Sequence, residues 1–181
     1  MTERFCESEM WFIPHPNMFR IEKSKIYQKN QQDLTMAEFL LLRDATPPEI
    51  GQSLWIVEAK TTFPNPNNPN NPLGHFDKSI GEICTNLVNA MLLGLGIYMG
   101  GYVGGADELP EAMRDMDLKA IKIKLVLIIK NHQERWLVVP RRALEKEIRR
   151  IIKIFGPSLF TVAVVNEKQA QDFGLVEMTL P

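Results

Sequence analysis

The sequence predicts an α/β fold built on a mixed central sheet. Two segments have the length and residue character of buried strands, Leu54 to Lys60 and Ile121 to Ile129. Two others, beginning near Asp77 and Arg141, repeat apolar residues with the period of an amphipathic helix. Clusters of Pro, Gly and Asn separate these segments, and strands alternating with helices are the pattern of an α/β sheet.

The early elements are short. Met10 to Ile13 and Phe19 to Ile21 read as small strands on either side of the Pro14-His15-Pro16-Asn17 turn, and Ser24 to Gln32 reads as a short polar helix or a loop. Glu38 to Leu42 is an apolar run of strand length, followed by the breaker Thr46-Pro47-Pro48. With Leu54 to Lys60 it forms an expected antiparallel hairpin joined by about ten residues. Phe63 to Gly74 holds too much Pro and Asn for a helix or a central strand.

Asp77 is the expected N-cap of a long helix, whose apolar face is Ile80, Ile83, Cys84, Leu87, Val88, Met91, Leu92 and Leu95. Gly94, Gly96, Gly100 and Gly101 loosen its end, and an acidic loop runs from Gly104 to Asp117. Ile121 to Ile129 starts in alternation and becomes wholly apolar, as a strand entering the centre of a sheet does. A turn at Asn131 to Arg135 leads to a strand at Trp136 to Val139, stopped by Pro140. Arg141 to Phe155 is a helix with Leu144, Ile148, Ile151, Ile152 and Phe155 on one face, ended by Gly156-Pro157. A strand at Leu159 to Val165, a short helix at Glu167 to Phe173 and an edge strand at Val176 to Leu180 complete the chain.

At 181 residues, with 45% apolar and 24% charged side chains, the chain suits one globular domain spanning 1–181. No uninterrupted apolar run approaches the roughly 18 residues that span a bilayer, and Met1-Thr2-Glu3-Arg4 does not open a signal peptide. A cytoplasmic protein without membrane partners is expected. Cys6 and Cys84 are far apart and suit two ordinary thiols. The net charge of −1 conceals a division. Lys119 to Lys153 carries eleven basic and three acidic residues, a local +8, which leaves ten basic against nineteen acidic elsewhere, or −9. Such a division suits one face for an anionic partner and another that holds metal or repels phosphate, and equally a chance clustering of solvated charges.

The chemistry centres on Leu54-Trp55-Ile56-Val57-Glu58-Ala59-Lys60. Residues two apart on a strand project to one side, so Glu58 and Lys60 point together. A carboxylate and an ammonium at the end of a buried strand are costly unless paired or used. Carboxylates that hold Mg²⁺, beside a lysine that steadies negative charge, are what phosphodiester cleavage needs. The pair also fits a structural salt bridge, and Val-Glu-Ala-Lys alone does not choose between them.

The order around it does carry a resemblance. Ala37-Glu38-Phe39-Leu40-Leu41-Leu42 followed by Leu54 to Thr62, then the helix from Asp77 and the strand from Ile121, resembles the core of the PD-(D/E)xK nuclease superfamily. That resemblance covers roughly residues 20 to 130 and implies a restriction-endonuclease-like three-layer αβα sandwich. It also implies a Mg²⁺- or Mn²⁺-dependent nuclease acting on DNA or RNA, in defence, mobile-element or repair biology, as a homodimer or with a partner recognition subunit. Glu38 and Glu58 would hold the metal, and Lys60 would stand beside the attacking water. No Pro-Asp precedes the first acid. Glu38 fills its slot, with Asp44 and Asp33 as substitutes, and Glu22 is the candidate for a further early acid. The ends of an antiparallel pair that bring Glu38 to Glu58 carry Asp44 away. A catalytically inactive domain of the same fold, binding nucleic acid or protein, is the alternative.

Arg142, Lys146, Arg149 and Lys153 at i, i+4, i+7 and i+11 form a basic stripe opposite Ile148 and Ile152. It suits a nucleic-acid backbone, and equally a solvated helix braced by a Glu145–Arg149 pair. His15, His75 and His132 have no neighbour at ligand spacing and read as surface residues.

Overall fold

The strand expected at Leu54 to Lys60 is β5 (Gln52–Lys60), the middle strand of a five-stranded mixed sheet in the computed structural model, which describes residues 3–32, 34–44, 51–65 and 74–178. Before it come β1 (Phe5–Glu7), β2 (Met10–Phe12), β3 (Met18–Phe19), the short helix α1 (Lys25–Asn30) and β4 (Phe39–Asp44). After it come α2 (His75–Tyr98), α3 (Glu111–Arg114), β6 (Lys122–Ile129), α4 (Val138–Ile152), β7 (Phe160–Asn166) and α5 (Glu167–Asp172). The sheet order is β3-β4-β5-β6-β7, and β1 pairs with β2 in a separate hairpin. β4 and β5 are antiparallel with Phe39 opposite Val57, as the expected hairpin requires, although the 45–50 connection and its Pro47-Pro48 breaker lie outside the described residues. β5, β6 and β7 run parallel, linked through α2 and α4.

Side-chain alternation along β5 divides the core. Leu54 and Ile56 pack with Leu40, Leu42, Leu125 and Leu127 under α2 and α4, whose inward faces include Ile83, Leu87, Met91, Leu144 and Ile148. Trp55, Val57 and Ala59 pack on the opposite face with Phe39, Leu41, Val126 and Ile128, covered by Phe5, Met10 and Phe12 of the hairpin and Ala170 of α5. Helices therefore cover one face, and a hairpin with a short helix covers the other.

α2 is long and apolar enough, by length and composition alone, to cross a membrane, counter to the expectation that no apolar stretch reaches that length. Its apolar stripe lies against the sheet. It begins after Gly74, in the left-handed region at φ 79, and Asp77 lies inside its first turn rather than at the N-cap. Gly94 does not loosen its end. A Cβ there would stand 2.5 Å from Leu40 Cδ2, so the glycine brings α2 close against β4. Gly94→Ile is expected to cost about 2 kcal/mol through overpacking. Gly94→Ala needs only the end of Leu40 to yield, gains about 1 kcal/mol of helix propensity, and should stay near wild type. Urea midpoints of the two variants check this.

Trp136 to Val139 is not a strand. A 3₁₀ turn at Glu134–Trp136 runs into α4, and Pro140 is the third residue of that helix rather than a stop. A proline lacks only an N–H that the first helical turn leaves unpaired, so helix prevails over the β-propensity of Leu-Val-Val. α4 accordingly spans Val138–Ile152, earlier than expected. The acidic Gly104 to Asp117 segment contains α3 and a 3₁₀ turn at Ala106–Glu108. Near the C-terminus Val176 makes one isolated bridge with Phe12 rather than an edge strand, and residues 179–181 lie outside the described residues.

Candidate metal centre

The antiparallel register brings the start of β4 to the end of β5, and the Glu38 N–H donates to the Val57 carbonyl at 3.0 Å. Glu38 is 8% exposed and Glu58 is 0% exposed. These are the two buried carboxylates among the described residues. Lys60 stands within 2.7 Å of Glu58 Oε1, and Asn86 of α2 donates to the same oxygen at 3.0 Å. The second oxygen, Glu58 Oε2, is buried and has no hydrogen-bond partner. An unsatisfied carboxylate oxygen in a core costs roughly 1–3 kcal/mol or more, so the fold retains a group here that stability alone would remove.

Two further acids complete the cluster. Carboxylate oxygens of Glu7, Glu22 and Glu38 lie within 4.8 Å of one another, close enough to share one cation. Glu58 is not a member of that trio, yet its charge is the strongest of those that bear on Glu38. Glu22 sits in a 3₁₀ turn at Ile21–Lys23 that follows β3 directly. Arg20 and Lys23 flank it at 2.6 and 3.4 Å, and the Arg20 guanidinium stacks over Phe5. Glu7 was not foreseen. It ends β1, and the tight turn after it places Ser8 and Glu9 at positive φ with no glycine to announce it. The Ser8 hydroxyl donates to the Ala59 carbonyl at 2.9 Å, and Lys130 Nζ donates to the Glu9 carbonyl at 2.9 Å. Those two ties hold the hairpin tip over the end of β5 and so hold Glu7 by Glu38.

The electrostatics follow from crowding buried acids. Burial first, then the charges of Glu58, Glu7 and Glu22, push the Glu38 carboxyl up to about 8, against a smaller opposing pull from Lys60. Burial also raises Glu58 above the usual carboxylate range, partly offset by Lys60 and Asn86. Burial disfavours the charged form of Lys60, but Glu58, Glu38 and Glu7 together outweigh it and hold the ammonium above its ordinary value. At neutral pH the ammonium is therefore charged, while Glu38 retains its proton.

Asp44 lies at the far end of β4, exposed, and accepts from Gln52 Nε2 at 3.1 Å. It does not join the cluster, and Asp33 lies outside the described residues. Arg142, Lys146, Arg149 and Lys153 are all exposed along α4, while Ile148 and Ile152 are buried beneath them. Arg141, rather than Arg149, holds Glu145, at 3.0 Å. His15 accepts from the Asn17 N–H and His75 is the first residue of α2. His132 is not a plain surface residue, because it packs edge-on between Phe63 and Trp136. Comparison with protein-family models, with curated proteins and with solved structures finds no match to this chain.

Proposed function

We propose that the protein is a metal-dependent nuclease of the PD-(D/E)xK kind, with the cluster at the β4–β5 ends as its active site and a restriction-endonuclease-like sandwich as its fold. The carrying observation is the buried Glu58: one oxygen held by Lys60 and Asn86, the other unpartnered, beside three more carboxylates. Glu7, Glu22 and Glu38, with Glu58 next to them, supply the all-oxygen donor set that Mg²⁺ or Mn²⁺ takes. Such an ion, when bound, acidifies water and neutralises charge on phosphorus. Asn86 fixes the Glu58 carboxylate, and Glu58 in turn fixes the Lys60 ammonium at the mouth of the site. There the ammonium orients a water or offsets negative charge as it develops on the phosphate. Glu38 would give up its proton to a bound cation, whose charge would offset the burial and the neighbouring acids that together hold the proton in place. The exposed stripe Arg142, Lys146, Arg149 and Lys153 supports contact with a nucleic-acid backbone. A homodimer or a recognition subunit is the arrangement that family resemblance adds.

A binding module without catalysis is favoured by one observation, the pairing of Glu22 with both Arg20 and Lys23, which already neutralises one of the acids. One assay separates the two readings. Wild type should cut single-stranded or plasmid DNA with Mg²⁺ or Mn²⁺ and not with EDTA. Glu58→Gln should be inactive at an unchanged melting temperature or a higher one, and Asp44→Asn should cut like wild type. Equal cutting by Glu58→Gln, or none by wild type, would refute the enzyme reading.

A further inference from the structure

Beyond Lys60 the chain forms the wall of a cleft of about 300 Å³ that the acid cluster does not use. Phe63, His132, Arg135 and Trp136 line it, together with Asn131 and Thr62. The rings form a continuous arc: Phe76 against Phe63 at 5.5 Å, Phe63 against His132 at 6.2 Å, His132 against Trp136 at 5.8 Å. Trp136 is 40% exposed although its ring is large and apolar, and the Arg135 guanidinium lies 5.6 Å from its centroid. Burial holds His132 below its ordinary range, so its ring is neutral at pH 7 and behaves as another aromatic wall. Val139 and Pro140, also in the lining, belong to the first turn of α4.

The cleft also adjoins the depression that holds Lys60 and Asn86. Thr62, Phe63 and Pro64 form one wall of it and, on their other side, line a second depression with Lys60 and Asn86. Lys60 and Thr62 are two residues apart, which is about 7 Å of extended chain. A strand with its phosphate at Lys60 would have its adjoining nucleotide at this wall.

We propose that the aromatic cleft receives an unpaired nucleobase next to the phosphate being cut, which makes single-stranded or locally unpaired nucleic acid the substrate. This rests on the nuclease reading and specifies its substrate class. Aromatic faces and an Arg plane take any base by stacking, while the amide of Asn131 can meet its polar edge. A base within a duplex has both faces stacked and its pairing edge occupied, so it cannot enter a pocket without leaving the helix.

The test measures anisotropy of a labelled oligonucleotide in Ca²⁺, as single-stranded DNA, as single-stranded RNA of the same sequence, and as blunt duplex. Trp136→Ala should weaken single-strand binding about 10-fold to 100-fold. Trp136→Phe should recover most of the loss, and duplex binding should be unchanged in both variants. The DNA and RNA arms show which sugar the cleft accepts. Unchanged single-strand binding in Trp136→Ala, or an equal loss on duplex, overturns the cleft. Cleavage in Mg²⁺ is read in parallel. Trp136-dependent binding with no cutting by wild type leaves the cleft standing and the nuclease reading refuted, whereas cutting with Trp136-independent binding does the reverse.

Discussion

Replacing Glu38 by Gln is expected to leave the protein more stable and unable to cut. In the folded chain without metal, Glu38 holds its proton up to about pH 8, whereas an unfolded glutamate loses it near 4.5. Between those values the folded state binds the extra proton, so stability falls as pH rises, and the loss is complete only above the folded value. Gln does not titrate. The two stability curves should run together below about pH 4.5 and separate from there to pH 8, with the variant ahead by on the order of 5 kcal/mol. Urea unfolding at pH 5 and at pH 8.5 reads that difference directly. Metal-dependent cleavage should fall at least about a hundredfold, because a neutral amide is a poorer ligand and the acid that exchanges its proton for the ion is gone. A gain in stability at the expense of activity is the mark of a group kept for function. A purely structural Glu38 would give the gain with no loss of cutting.

Lys60→Met should fail in both respects. The ammonium stands 2.7 Å from a carboxylate with 0% exposure, so removing it leaves Glu58 with Asn86 as its remaining partner among the described residues. Breaking a buried pair costs about 3–5 kcal/mol. Lys60 is 40% exposed at its side chain, so solvent already screens part of the interaction and about 2 kcal/mol is expected. Turnover should drop by roughly 10²–10³, the usual effect of losing one group that stabilises charge at the reacting centre. The double variant Glu58→Gln, Lys60→Met should recover stability, because no buried charge is stranded, and remain inactive. Thermal melts of the three proteins decide it.

Much of the framework was legible because hydrophobic period and burial agree. β5 and β6 are apolar on both faces since they lie inside the sheet, and α2 and α4 show one apolar stripe because one face of each is buried. The pairing of β4 with β5 followed from their spacing. Glu58 and Lys60 could be named because they share one side of a strand, and Glu38 and Glu22 because the family resemblance points to their slots. Glu7 could not. It reaches Glu38 through a hairpin whose turn, Ser8-Glu9, carries no Gly or Asn, and whose position depends on Lys130, more than a hundred residues away. The aromatic cleft escaped for the same reason: Phe63, His132 and Trp136 meet only after the parallel strands align, and in the sequence they fall in a loop, a turn and an expected short strand. Trp136 to Val139 misled because strand propensity is local, while the helix there is set by a proline tolerated in its first turn and by Leu144 and Ile148 packing on the sheet.

The measurement that tests the central claim most directly is a calorimetric Mn²⁺ titration at pH 7 in two buffers of different ionisation enthalpy. A cation site built from Glu7, Glu22 and Glu38, with Glu58 beside them, predicts saturable binding with release of about one proton per ion, and affinity rising about tenfold per pH unit up to pH 8. Glu38→Gln should release none. Saturable binding with no proton release, or no binding at all, would contradict a metal centre at the ends of β4 and β5.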